Sequence, residues 1–185
     1  MTTLLLISAI ATWIVLIFNV LLLVGLIKRV NQLGGKSSKE FVLEEAKRHR
    51  GEAAPPFTAE GSSGEIVTLD SFAGQDVAFL FLSPTCQPCV EKIPALNSYN
   101  PEAKASGIEM VIVNVDPHMT GAQFINDHAI EIPVITAPQI SNPFASDYRA
   151  TSTPSFCLVD AKRQIRASGM LDTHYWQAQL ALMQP

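Results

Sequence analysis

The chain has 185 residues, a net charge of −4, a pI of about 5.5 and a mean hydropathy of +0.21, with 48% hydrophobic residues. That length holds one ordinary domain plus an appendage. The acidic balance argues against the basic surface that non-specific nucleic-acid binding requires.

The apolar excess is concentrated at the start. No charged residue occurs from Thr3 to Ile27, where Leu, Ile and Val dominate. As a helix this stretch would run roughly 37 Å at about 1.5 Å per residue. A bilayer core is about 30 Å thick, so residues 3–27 are expected to form a transmembrane helix. A cleavable leader would instead carry a basic start and a shorter apolar core. Lys28, Arg29, Lys36 and Lys39 follow the span and nothing basic precedes it, so the positive-inside rule alone would leave the rest of the chain in the cytoplasm.

Residues 28–52 read as a polar juxtamembrane linker, partly helical over Lys39–Arg50, with Gly34-Gly35 as a joint. The basic cluster Lys47-Arg48-His49-Arg50 reads as a solvated helix face. Ala53-Ala54-Pro55-Pro56 ends that helix, because proline cannot donate to the helical ladder.

Residues 53–185 then alternate between strand and helix patterns. Glu65–Leu69 reads as a short strand. Asp76–Leu82 (DVAFLFL) is a continuous apolar run, as expected of a strand buried on both faces. Residues 87–104 read as one helix with a kink at Pro94. Ile108–Val115 is a second buried strand, and Ala122–His128 a short helix. A short run at Pro133–Ile135 precedes a helix near Pro143–Tyr148. Ser155–Val159 and Gln164–Ala167 read as strands joined by a turn. Leu171–Met183 reads as a terminal amphipathic helix. The pattern predicts an α/β fold with a mixed sheet and helices on its faces.

Cys86 and Cys89 form a C-x-x-C pair where a buried strand ends and a helix begins. At a helix start the free backbone N–H groups favour an anion. A thiolate is the attacking species in disulfide exchange, and the C-x-x-C arrangement lowers the pKa of the first thiol. Cys86 is therefore the expected nucleophile. Cys89, one turn further in, is placed to attack a mixed disulfide on Cys86 and release its partner. Pro88 falls in the first turn, where its missing N–H costs nothing. A zinc site would need four ligands, and only Cys157 remains beside His49, His118, His128 and His174, which show no close pairing. No metal or cofactor is expected. Cys157 sits in a mostly apolar strand and is expected to be buried and inert.

Several features together resemble the membrane-anchored thioredoxin-like proteins of the TlpA and ResA group. They are Gly51-Glu52-Ala53-Ala54-Pro55-Pro56-Phe57, the strand leading to C-x-x-C, Pro94, and Thr153-Pro154. The stretch Phe81-Leu82-Ser83-Pro84-Thr85-Cys86 most resembles the methylamine-utilisation MauD proteins. The resemblance covers Gly51 to the C-terminus. It implies a thioredoxin-like fold with Thr153-Pro154 as a cis-proline loop opposite Cys86, pairing with the client backbone. Catalytic roles fall on Cys86 and Cys89, and substrate-binding roles on Thr153, Pro154 and Thr85. Thr85 stands where many members carry Trp. Where ResA-like proteins place Glu, three residues past the second cysteine, this chain has Lys92, and Glu91 is expected to be solvated. MauD proteins are associated with maturing the disulfide-rich small subunit of methylamine dehydrogenase.

The expected activity is thiol–disulfide exchange on client proteins, with a membrane or soluble redox partner and the lipid bilayer as further partners. Stable disulfides are made outside the cytoplasm, and this outweighs the charge rule in placing the domain there. Two alternatives stand beside it. A peroxiredoxin-like peroxidase would need P-x-x-x-[TS]-x-x-C, and Phe79 occupies the proline position. A non-catalytic assembly factor would use the cysteines structurally.

Overall fold

The computed structural model describes residues 12–25, 51–171 and 176, and the chain divides into two units, Met1–Glu45 and Ala46–Pro185. In the first unit, residues 12–25 form α1, with every side chain exposed. Its one amide side chain, Asn19, turns back on the helix and donates from Nδ2 to the Val15 carbonyl at 3.0 Å. Among the described residues no helix is long and apolar enough to cross a membrane. The ends of the span expected at 3–27 lie outside the described residues, as do the linker up to residue 50 and the expected helix after Leu171, Trp176 excepted.

Among the described residues, the second unit is built on a mixed seven-stranded sheet. The strands are β1 Thr58–Gly61, β2 Ile66–Thr68, β3 Asp76–Leu82, β4 Ile108–Asn114, β5 Val134–Thr136, β6 Ser155–Val159 and β7 Ile165–Met170. Their spatial order is β2-β1-β5-β4-β3-β6-β7. β3 lies inside the sheet next to the central strand β4, parallel to β4 and antiparallel to β6, with Leu80 opposite both Ile112 and Phe156. This explains its unbroken apolar sequence: alternate side chains must fill two cores. Ala78, Leu80 and Leu82 pack on one face with Ile93, Leu96, Phe124 and Trp176. Val77, Phe79 and Phe81 pack on the other with Phe57, Phe144 and Tyr148.

The second core is aromatic. Phe57 stacks on Phe144 at 3.8 Å between ring centres, and Phe79 meets Phe57, Phe72, Phe144 and Tyr148 edge-on. The one polar tip in this cluster, the Tyr148 hydroxyl, donates to the Pro55 carbonyl at 2.7 Å. A buried phenol needs such a partner.

Among the described residues of this unit, the α-helices with a defined span are α2 Gln87–Val90, α3 Ile93–Ala105, α4 Gly121–His128 and α5 Phe144–Asp147. The single helix expected over 87–104 is thus two helices parted at Glu91-Lys92. Pro94 is the cause. In a continuous helix it would have to donate to the Val90 carbonyl, and it has no N–H. In the first turn of a new helix that N–H is not needed, and Pro94 sits there in α3. The sequence reading also missed β1. Three of its four residues, Ala59, Glu60 and Gly61, are poor strand formers, and β1 exists because β2 and β5 flank it on both edges.

Candidate active site

The site lies where β3 ends. β4 holds β3 in register to its last residue, and beyond it the Val115 N–H donates to the Leu82 carbonyl at 3.0 Å. Ser83-Pro84-Thr85-Cys86 then makes a turn, closed by the Cys86 N–H on the Ser83 carbonyl at 3.1 Å. Pro84 at the second position of the turn presets its backbone angle. Cys86 is the extended N-cap of α2, and its carbonyl accepts from the Cys89 and Val90 N–H groups at 2.9 and 3.2 Å.

Because α2 is one turn long, the helix behind Cys86 supplies less dipole than the expected 87–104 helix would have. Neighbouring donors do the work. Burial opposes the Cys86 anion, but hydrogen bonds from the Cys89 thiol, from Thr153 and from the Cys89 backbone outweigh it, and the Cys86 pKa lies below its ordinary value. Cys89 behaves oppositely. Its side chain is fully buried, and burial, followed by the hydrogen bond to Cys86, pushes its pKa up to about 12. The two thiols are one hydrogen-bonded pair whose first proton leaves from Cys86.

The Thr153-Pro154 bond is cis, and the Cys86 sulfur lies 3.7 Å from the Thr153 carbonyl. The loop is held from behind, where the Leu171 N–H donates to the Pro154 carbonyl at 3.0 Å. The structure thus brings the Cys86/Cys89 pair to the Thr153-Pro154 loop, with 67 positions between Cys86 and Thr153. Thr85 is on the same rim. Its side chain is exposed, yet its hydroxyl is engaged, 2.8 Å from the Ser83 hydroxyl and 3.0 Å from Asp116 Oδ2.

Glu91 is exposed and accepts from Gln87 Nε2 at 3.0 Å. Cys157 is fully buried on β6, in the aromatic core on the other face of the sheet, and burial raises its pKa. Phe79, at the position where a peroxidatic motif needs proline, is also locked in that core.

Asp116 went unremarked in the sequence, and Ser83 was noted there only as part of the stretch before Cys86. Asp116 accepts from the hydroxyls of Ser83 and Thr85 and from the His118 N–H. Burial opposes its charge, but these donors and the nearby His118 hold its pKa below the ordinary carboxylate value. The available signal was topological. β3 and β4 are parallel neighbours, so an acid two residues past β4 falls at the same pole as a cysteine four residues past β3.

Comparison with known proteins then fixes the family. Residues 50–168 match the AhpC/TSA family. The chain belongs to it. Among curated relatives of this AhpC/TSA chain, the thiol-disulfide oxidoreductase ResA of Halalkalibacterium halodurans is 27% identical over 104 residues, covering 56% of this chain and 59% of ResA. The chain thus spans less than two thirds of the length of the first relatives it matches. The methylamine utilization protein MauD of Paracoccus versutus is 25% identical over 173 residues, covering 92% of this chain and 84% of MauD. Among solved structures, a Chlorobium tepidum protein assigned as the thiol:disulfide interchange protein DsbE superposes with a TM-score of 0.64 at 25% identity. That match covers 74% of this chain and 98% of the other. The thioredoxin-like fold with its mixed sheet is therefore as expected from the sequence.

Proposed function

We propose that this chain is a thiol–disulfide oxidoreductase acting on protein cysteines outside the cytoplasm. The observation that carries the reading is the split within one C-x-x-C pair: a part-exposed Cys86 with a lowered pKa beside a fully buried Cys89 with a raised one. In the exchange, the Cys86 thiolate attacks one sulfur of a client disulfide. A Cys86–client mixed disulfide forms, and the client's other sulfur leaves as a thiolate. Cys89 then loses its proton and attacks the Cys86 sulfur. The client's second thiolate departs, and a Cys86–Cys89 disulfide remains. The reverse sequence oxidises a client dithiol. Thr153 and Pro154 stand beside the reacting sulfur to receive the client backbone, with Thr85 on the rim. ResA and DsbE, named for this chemistry, support the assignment.

The finer reading is maturation of a disulfide-rich enzyme subunit such as that of methylamine dehydrogenase, supported by the MauD match across most of the chain. The uncharged, apolar stretch Thr3–Ile27 supports a single transmembrane helix as the anchor, with the exposed apolar side chains of α1 facing lipid.

The test is a Cys89→Ser chain expressed in its native host. Exchange stalled at the first step should leave client proteins joined to Cys86 through disulfides that a reductant releases. No adduct, with the variant folded and Cys86 alkylatable, would sink the proposal. Alkylation of the wild-type pair in cells then gives the direction, oxidised for an oxidant and reduced for a reductase.

A further inference from the structure

We propose that Asp116 is a positioning residue for Cys86: its carboxylate, just past the end of β4, clamps the Ser83–Thr85 turn and so sets where the Cys86 sulfur stands. The proposal rests on Cys86 being the attacking thiol.

Asp116 is buried, with 8% of its surface exposed. Oδ2 accepts from Ser83 Oγ at 3.2 Å and from Thr85 Oγ1 at 3.0 Å, and Oδ1 accepts from the His118 N–H at 2.8 Å. A buried carboxylate is tolerated only when donors meet it, and three do. The two hydroxyls flank Pro84 and immediately precede Cys86. Each has one proton to give, and an ionised carboxylate can only accept. Ser83 Oγ and Thr85 Oγ1 also lie 2.8 Å apart, so their two protons are shared around a triangle of three oxygens with Asp116 Oδ2, and the turn is held from one side. The Thr85 N–H, 3.3 Å from Ser83 Oγ, closes the arrangement.

The clamp is itself anchored. The Asp116 N–H donates to Asn114 Oδ1 at 3.1 Å, and Asn114 Nδ2 donates to the Met119 carbonyl at 2.6 Å. Asn114 is fully buried at the end of β4, a strand paired with β3 along its whole length. Asp116 thus transmits the rigidity of the sheet to the turn that presents the nucleophile. Displacing that turn would weaken the hydrogen bonds the Cys86 sulfur receives from Cys89 and from the Thr153 side chain, since hydrogen bonds fall off steeply with distance and angle.

Two effects of Asp116 on Cys86 have opposite signs, which makes the role testable. The negative charge by itself disfavours a nearby thiolate, so losing it alone would make Cys86 more acidic. Losing the clamp would make Cys86 less acidic. A purely structural role would lower the melting temperature and leave the thiol's titration where it was.

The experiment follows iodoacetamide alkylation of Cys86 against pH in the reduced full-length chain. In Asp116→Ala the midpoint should rise by about one unit, slowing alkylation about tenfold below it. Asp116→Asn, whose amide oxygen still accepts, should recover part of the shift. Thr85→Val and Ser83→Ala should each move the midpoint the same way by less, and adding Thr85→Val to Asp116→Ala should add little. A midpoint that falls or stays fixed in folded Asp116→Ala overturns the proposal. Should that variant not fold, an unmoved midpoint in the Ser83→Ala/Thr85→Val double variant overturns it equally. Wild-type chain that exchanges with no protein disulfide would instead sink the assigned function, and the alkylation midpoints would still decide the role of Asp116.

Discussion

The two faces of the central sheet carry cysteines with opposite fates. On one face, Cys86 and Cys89 sit past the end of β3, where the chain turns and backbone donors are free to meet a sulfur. On the other, Cys157 sits mid-strand on β6, opposite Phe79, inside an aromatic cluster that offers its thiol no charge and no exit. All three are fixed by one sheet, and Cys89 and Cys157 are equally buried. Burial alone therefore does not decide reactivity. What separates them is position along the strand: strand ends supply polar groups and access, strand centres supply neither.

The strongest break of this contrast is chemical. Cys86→Ser should abolish disulfide exchange with a protein client such as insulin, while Cys157→Ala should keep it. Loss of exchange in folded Cys157→Ala would end the distinction between the faces.

Next in size is a stability effect confined to the aromatic face. Phe79→Ala removes a fully buried ring from four edge-on contacts and should cost about 3–5 kcal/mol in urea unfolding. The Cys86 alkylation midpoint of the folded fraction should not move.

The pH dependence sharpens the contrast within the active face. Cys86 has a lowered pKa, so its thiolate fraction saturates below the pH where a free cysteine's does, and its alkylation rate should plateau early. Cys89, pushed up to about 12, stays protonated and should resist alkylation throughout the neutral range. Cys157 should become reactive only in denaturant. Mass spectrometry of singly alkylated peptides separates the three, and early labelling at Cys89 would contradict the assignment of roles.

Cys157→Ser places a hydroxyl among aromatic rings without a partner and should cost about 1–3 kcal/mol. The smallest effect belongs to the surface. Glu91→Gln leaves an exposed side-chain pair with Gln87 and should change stability by less than about 0.5 kcal/mol, with unaltered exchange.

Much of this was legible before the structure. β3 spans the residues its apolar run marked, because a strand buried on both faces has few other sequences open to it. Cys86 and Cys89 were singled out by their place where a buried strand ends and a helix begins, and Thr153-Pro154 through the family resemblance. The break at Glu91-Lys92 was only half legible: Pro94 announced a disturbance, and its effect depended on whether the helix bent or restarted. β1 was invisible, since its strand character comes from β2 and β5 rather than from Ala59, Glu60 and Gly61. Asp116 escaped because a lone acid after a strand looks like a solvated loop residue. Its contacts with Ser83 and Thr85 cross more than 30 positions of chain.

The placement of Cys157 has a consequence for biogenesis. Three thiols allow three pairings in an unfolded chain, and two of them involve Cys157. Once β6 has paired with β3, the sheet stands between Cys157 and the other two, and a single pairing remains. A chain that meets an oxidant before it folds can be trapped with the wrong bond, whereas one that folds first cannot. The sheet therefore acts as a sorting device whose benefit depends on timing, and Cys157→Ala should raise the yield of correctly oxidised protein when refolding and oxidation are forced to compete.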